Sequence, residues 1–244
     1  MHRLLLSILA FLFFACNTGM KQAGPKTVTP YTYPLPKLFD ACRDTSLISD
    51  HFYLIGWSED GKLAYVNEPG DEACGCYFMD LYVLDAAQNK AVYHYHFTDE
   101  DRVDTAASNA TLAGVWKQQE KMFTDTLNHY GIVPGNFSAT KGDVHDANGK
   151  KLHAVLHMTI KDNTDWALPT ITDYRILLQG KGAEISVYVS TAEEKNAPLL
   201  HLVSAAVITD SSGRYAATLV AREFRGWEGP PNTLRYEVYA CPLQ

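Results

Sequence analysis

Beyond residue 50 the chain alternates apolar and polar side chains with a period of two, and this restricts its fold more than any other feature. In Glu184-Ile185-Ser186-Val187-Tyr188-Val189-Ser190 the residues Ile185, Val187 and Val189 share one face, and Leu234-Arg235-Tyr236-Glu237-Val238-Tyr239-Ala240 repeats the pattern. That is the period of a strand with one buried and one wetted face. Eight more segments qualify, at 51–57, 62–67, 77–85, 91–97, 152–161, 171–179, 199–208 and 214–223. Gly, Pro and Asp punctuate them. The expectation is a mainly β protein of antiparallel, blade-like sheets, packed as a sandwich or as a partial propeller.

One helical insertion interrupts the strands near 108–130. Leu112, Val115, Trp116, Phe123, Leu127 and Tyr130 fall on a single helical face, with Lys117, Gln118, Glu120 and Lys121 elsewhere on it. Gly131 stands where a helix C-cap belongs, and Pro134 blocks continuation.

The N-terminus addresses the chain to a compartment. Met1-His2-Arg3 precedes an apolar run, Leu4 to Ala15, too short for a spanning helix, which needs roughly 20 residues. Phe13-Phe14-Ala15-Cys16 resembles a relaxed bacterial lipobox, with Phe14 where a smaller residue is usual. The resemblance implies removal of residues 1–15 as a signal peptide and lipidation of Cys16. Asn17, rather than Asp, then favours the outer membrane. Residues 16–40 carry Gly24, Pro25, Pro30, Pro34 and Pro36 and form a polar, extended tether. Residues 41–244 remain as one β-rich ectodomain.

Four further cysteines, Cys42, Cys74, Cys76 and Cys241, make an even set in an exported chain. A bridge within Cys74-Gly75-Cys76 would be strained. The expectation is that Cys42 and Cys241 each reach one of that pair. A zinc site is disfavoured, because structural zinc normally shows two separated paired motifs.

Residues 52–97 carry a more specific pattern. Ile55-Gly56-Trp57-Ser58-Glu59-Asp60-Gly61-Lys62-Leu63-Ala64-Tyr65-Val66 is followed by Asp80-Leu81-Tyr82-Val83-Leu84-Asp85. This resembles a repeat of TolB-like, WD-type β-propellers, with Glu59 in place of that family's Pro. The resemblance implies strands hinged on a tight Asp60-Gly61 turn. Asp210-Ser211-Ser212-Gly213-Arg214 echoes the turn, and Asp146-Ala147-Asn148-Gly149-Lys150 more faintly. The evenly spaced copies of a closed propeller are missing. The ending Arg225-Gly226-Trp227-Glu228-Gly229-Pro230 also looks like an uncharacterised family of secreted bacterial proteins with no established activity, so the resemblance implies only a fold and a compartment.

Candidate chemistry is sparse. In Val92-Tyr93-His94-Tyr95-His96-Phe97 the two histidines share one strand face, while Tyr93, Tyr95 and Phe97 suit the core. H-x-H on a strand can hold zinc, given a third ligand; without one, His94 and His96 are surface residues. His153 and His157 also share a face. The acidic stretch Thr98 to Asp104 reads as a solvated connection before it reads as a cation site. Trp166, Trp227 and the tyrosines offer a glycan platform or, more simply, core. Phosphate-loop, nucleophile-elbow, zincin and dinucleotide motifs are missing, so no catalytic residue and no cofactor is expected. With 21 Lys+Arg against 28 Asp+Glu, net charge −7, nothing points to nucleic acid. The expectation is a lipid-anchored cell-envelope protein, attached to the membrane through its N-terminus. Its role would be non-enzymatic, binding or assembling with an envelope protein or glycan. Against it stand a metal-dependent hydrolase built on His94 and His96, and a glycan-binding module.

Overall fold

The computed structural model describes residues 31–32, 47–71, 75–101, 111–163, 168–191, 199–226 and 231–243. In chain order the elements are β1 (Tyr31–Thr32), β2 (Leu47–Ser49), β3 (His51–Trp57), β4 (Lys62–Glu68), β5 (Met79–Asp85), β6 (Lys90–Phe97), α1 (Leu112–Gln118), α2 (Glu120–His129), β7 (Val133–Pro134), β8 (Ser138–Thr140), β9 (Val144–His145), β10 (Lys151–Asn163), β11 (Leu168–Gly180), β12 (Ala183–Val189), β13 (Leu199–Thr209), β14 (Tyr215–Phe224) and β15 (Asn232–Pro242). Every segment expected to be a strand is one.

Two sheets form. The first runs β1-β3-β4-β5-β6, with β7 also on β3; the second runs β2-β15-β14-β13-β11-β10-β9, with β12 on β11 and β8 on β13. They face each other as a sandwich, which excludes blades fanned around an axis. Phe52, Leu54, Trp57 and Leu63 of the first sheet meet Ala206, Ile208, Ala217, Leu219 and Ala240 of the second. Alanines opposite large rings let the sheets interdigitate closely. The all-antiparallel expectation fails at one place: β2 pairs with β15 in parallel, Asn232 opposite Leu47.

Each sheet is covered on its other face as well. Ile55, Val66, Leu81 and Phe97 pack under Val115, Phe123 and Leu127 of the helices. Beneath the second sheet, β10–β12 turn back over β13–β15, so that Leu152, Ile176 and Val187 meet Val207, Val220 and Tyr239. The single pairing Ile171–Leu199 joins the two leaves.

The one expected helix is two, broken at Gln119, which serves as C-cap of α1 and N-cap of α2. Thr111 caps α1 by accepting the Gly114 N–H. The helix stops where expected, but the C-cap is Tyr130, and Gly131 is the left-handed residue just after it. Gly131 has φ +65°, its N–H donates to Asn128 O, and the Ile132 N–H donates to Leu127 O at 2.9 Å. That pairing is a Schellman motif.

The three echoing segments are three copies of one turn, joining β3–β4, β9–β10 and β13–β14. Each starts on a short polar side chain, Ser58, Asp146 or Asp210. That side chain accepts the N–H of the basic residue four positions on, at 2.8, 2.7 and 2.9 Å. Each places glycine at positive φ, Gly61 at +86°, Gly149 at +76° and Gly213 at +68°, the region open to glycine at little cost. Arg214 Nη2 also donates to Glu59 O at 2.8 Å, tying two of the turns together.

Candidate metal centre

The first sheet carries two parallel rows of side chains across β4, β5 and β6. Tyr65 pairs with Tyr82 and Tyr82 with His94; one step along, Asn67 pairs with Asp80 and Asp80 with His96. Cross-strand partners point to the same side, so all six share one face. It is the face turned toward the second sheet, at the outer edge on β6.

At that edge both imidazoles converge on a single carboxylate oxygen. His94 Nε2 lies 2.6 Å from Asp80 Oδ1 and His96 Nδ1 lies 2.8 Å from the same atom. Asp80 is nearly buried, with 9 % of its side chain exposed, whereas His94 and His96 are 44 % and 48 % exposed. Asp80 thus stands where a third ligand beside His94 and His96 would have to be, and one candidate ligand atom from each of the three lies within 4.8 Å of the others. Ligand atoms around a tetrahedral ion at about 2.1 Å sit roughly 3.4 Å apart, so the triad needs only to spread slightly to admit one. Two imidazoles and a carboxylate suit zinc, copper, nickel or ferrous iron rather than calcium or magnesium.

The rings are held from the side. His94 stacks on Tyr82 at 4.3 Å with planes 3° apart, and His96 lies against Phe78 at 6.2 Å. The stack continues inward through Tyr65 to Phe52, at 5.1 and 5.3 Å. Burial, and then the Asp80 carboxylate, push the Tyr82 hydroxyl up to about 12, so it stays protonated beside the site.

The polar row continues inward too. Asn67 Nδ2 donates to Asp50 Oδ2 at 2.9 Å. Asp50 is fully buried. Its Oδ1 accepts from Arg235 Nη1 at 2.7 Å and from Gly70 N at 3.1 Å, and its Oδ2 also accepts from Tyr236 N at 3.1 Å. A buried carboxylate with four donors is satisfied. Asp50, between β2 and β3, thus locks the passage of the chain from one sheet to the other.

Sequence reasoning placed His94 and His96 on one face and left Asp80 in a repeat-like motif. The signal for Asp80 was its isolation: one acid inside the apolar run Met79–Leu84, two residues from Tyr82 and therefore on the same face. His153 and His157 stand exposed on β10 and join no ligand cluster among the described residues. Of the acidic stretch, Asp101 caps its own turn by accepting the Thr98 N–H, and Asp99 accepts the Tyr77 N–H.

The cysteine expectation needs correction. Cys241 is a free, buried thiol, so it does not bridge to Cys74 or Cys76. As the alternate of Ala240 on β15 it points away from the sheet interface, into the core beneath the second sheet. Cys76 is disulfide-bonded. Cys16, Cys42, Cys74, Trp166 and Trp227 lie outside the described residues. Among the described residues no helix is long and apolar enough to cross a membrane. No family model, curated protein or solved structure matches the chain.

Proposed function

We propose that the protein is a lipid-anchored cell-envelope module that binds a divalent transition-metal cation through Asp80, His94 and His96. The convergence of His94 Nε2 and His96 Nδ1 on Asp80 Oδ1 carries the reading. Three donors of the right chemistry are gathered on a rigid strand pair, with the rings already oriented by stacking. The N-terminal run ending in Ala15-Cys16 supports the location at the envelope.

A metal-dependent hydrolase is the second reading, favoured by the exposure of His94 and His96. Three protein ligands leave at least one coordination position to water or substrate.

The test is metal analysis of the full-length, detergent-solubilised protein, stripped with chelator and reloaded. One equivalent of zinc, lost in His94→Ala and in His96→Ala at unchanged circular dichroism, is the expected result. No binding by the parent protein overturns the proposal. Metal-dependent cleavage of ester or phosphoester substrates would move the reading to the hydrolase.

A further inference from the structure

Building on the metal-binding reading, we infer that Asn67 positions an exchangeable water on the bound ion. Three observations carry this. The Asn67 side-chain oxygen, Oδ1, is buried and has no hydrogen-bond partner among the described residues. Buried acceptors are nearly always paired, so an orphan marks a place where a water or an ion belongs.

The orientation of that oxygen is determined by its neighbour. Asp50 can only accept, so the amide must turn Nδ2 toward Asp50 Oδ2 and Oδ1 away from it. The other donors on Asp50, from Arg235, Gly70 and Tyr236, keep that anchor in place.

Asn67 also lies directly opposite Asp80 in the strand register, with Asp80 in turn opposite His96. Cross-strand partners stand about 5 Å apart at Cβ, so Asn67 flanks the carboxylate on the side away from the histidines. Asp80, His94 and His96 fill three coordination positions. A water in the next one has two protons to donate, and Asn67 Oδ1 is an acceptor with no other donor among the described residues. Arg235, Asp50 and Asn67 then form an outer chain that orients the water, as outer partners do around metal ligands generally.

The experiment uses the full-length, detergent-solubilised protein with cobalt(II), whose visible bands report coordination. The parent should bind one equivalent, and azide should displace the water and shift the bands. Asn67→Ala and Asn67→Leu, checked for folding by circular dichroism without metal, should bind cobalt about 10- to 100-fold more weakly and with altered bands. A parent spectrum unmoved by azide overturns the inference. So does either variant binding with the parent's affinity and spectrum. Those outcomes leave the metal site itself standing. A parent that binds no cobalt removes both the site and the water.

Discussion

Gly61 packs so closely on Tyr215 that a Cβ at Gly61 would lie 2.4 Å from the ring carbon Cε1. The Tyr215 ring has little freedom to retreat, because it stacks on fully buried Trp57 at 6.2 Å. Gly61 is also at φ +86°. Gly61→Val therefore meets both a steric and a backbone penalty, and should destabilise by about 2–4 kcal/mol. Gly149, in the matching turn, has φ +76° and open space where a Cβ would go. Gly149→Ala should cost only about 1 kcal/mol. Urea unfolding of the two variants checks the difference. Equal losses would mean that the ring contact contributes nothing.

Asp50→Ala removes the acceptor of four hydrogen bonds and strands the amides of Gly70 and Tyr236 and the guanidinium of Arg235. Arg235 is one-third exposed, so water relieves part of that loss. The expected destabilisation is about 3 kcal/mol. An unchanged unfolding midpoint would show that the carboxylate is not the lock between the sheets.

Burial alone pushes the Cys241 thiol up to about 12. The fold thus favours the neutral thiol. The associated stability is complete below the ordinary thiol range, near 8.5, and is lost as pH rises from there toward 12. The folded protein should leave Cys241 unmodified by a thiol reagent at pH 8, and unfolding should expose it. Cys241→Ala should flatten the fall in melting temperature between pH 9 and 11. Rapid labelling of Cys241 in the folded state would contradict its burial.

Tyr82→Leu keeps bulk but removes the face on which His94 stacks at 4.3 Å. A loosely held imidazole binds metal less well. Zinc affinity should fall about tenfold with little change in the melting temperature of the metal-free protein. Isothermal titration measures this, and an unaltered affinity would show that the stack does not orient the ring.

Cys16→Ala should abolish incorporation of labelled fatty acid and release the protein from the membrane fraction. Stable anchoring takes two lipid signals, which a diacylated or triacylated cysteine supplies. Normal labelling of the variant would remove the anchor from the proposed function.

Local pattern determined much of this protein. Period-two alternation placed the strands, and the apolar face from Leu112 to Tyr130 gave the helical segment, with its stop at Gly131. Alternation also put Tyr93, Tyr95 and Phe97 inward and His94 and His96 on the opposite face. These are short-range properties, set by backbone geometry and the sorting of apolar side chains. The recurring glycine turns were legible for the same reason, since each closes its hydrogen bonds within five residues.

Register and topology decided the rest. Asp80 meets the histidines only because β5 and β6 pair with Asp80 opposite His96, and Asn67 joins them only through the pairing of β4 with β5. Asp50 finds Arg235 across 185 positions of sequence. An even cysteine count suggested that Cys241 was bridged, but the alternation of β15 carries it into a core where no partner reaches it. Which strands lie side by side, and in which register, follows from how both sheets bury their faces at once. That is a property of the assembled sandwich, and no single segment of the sequence carries it.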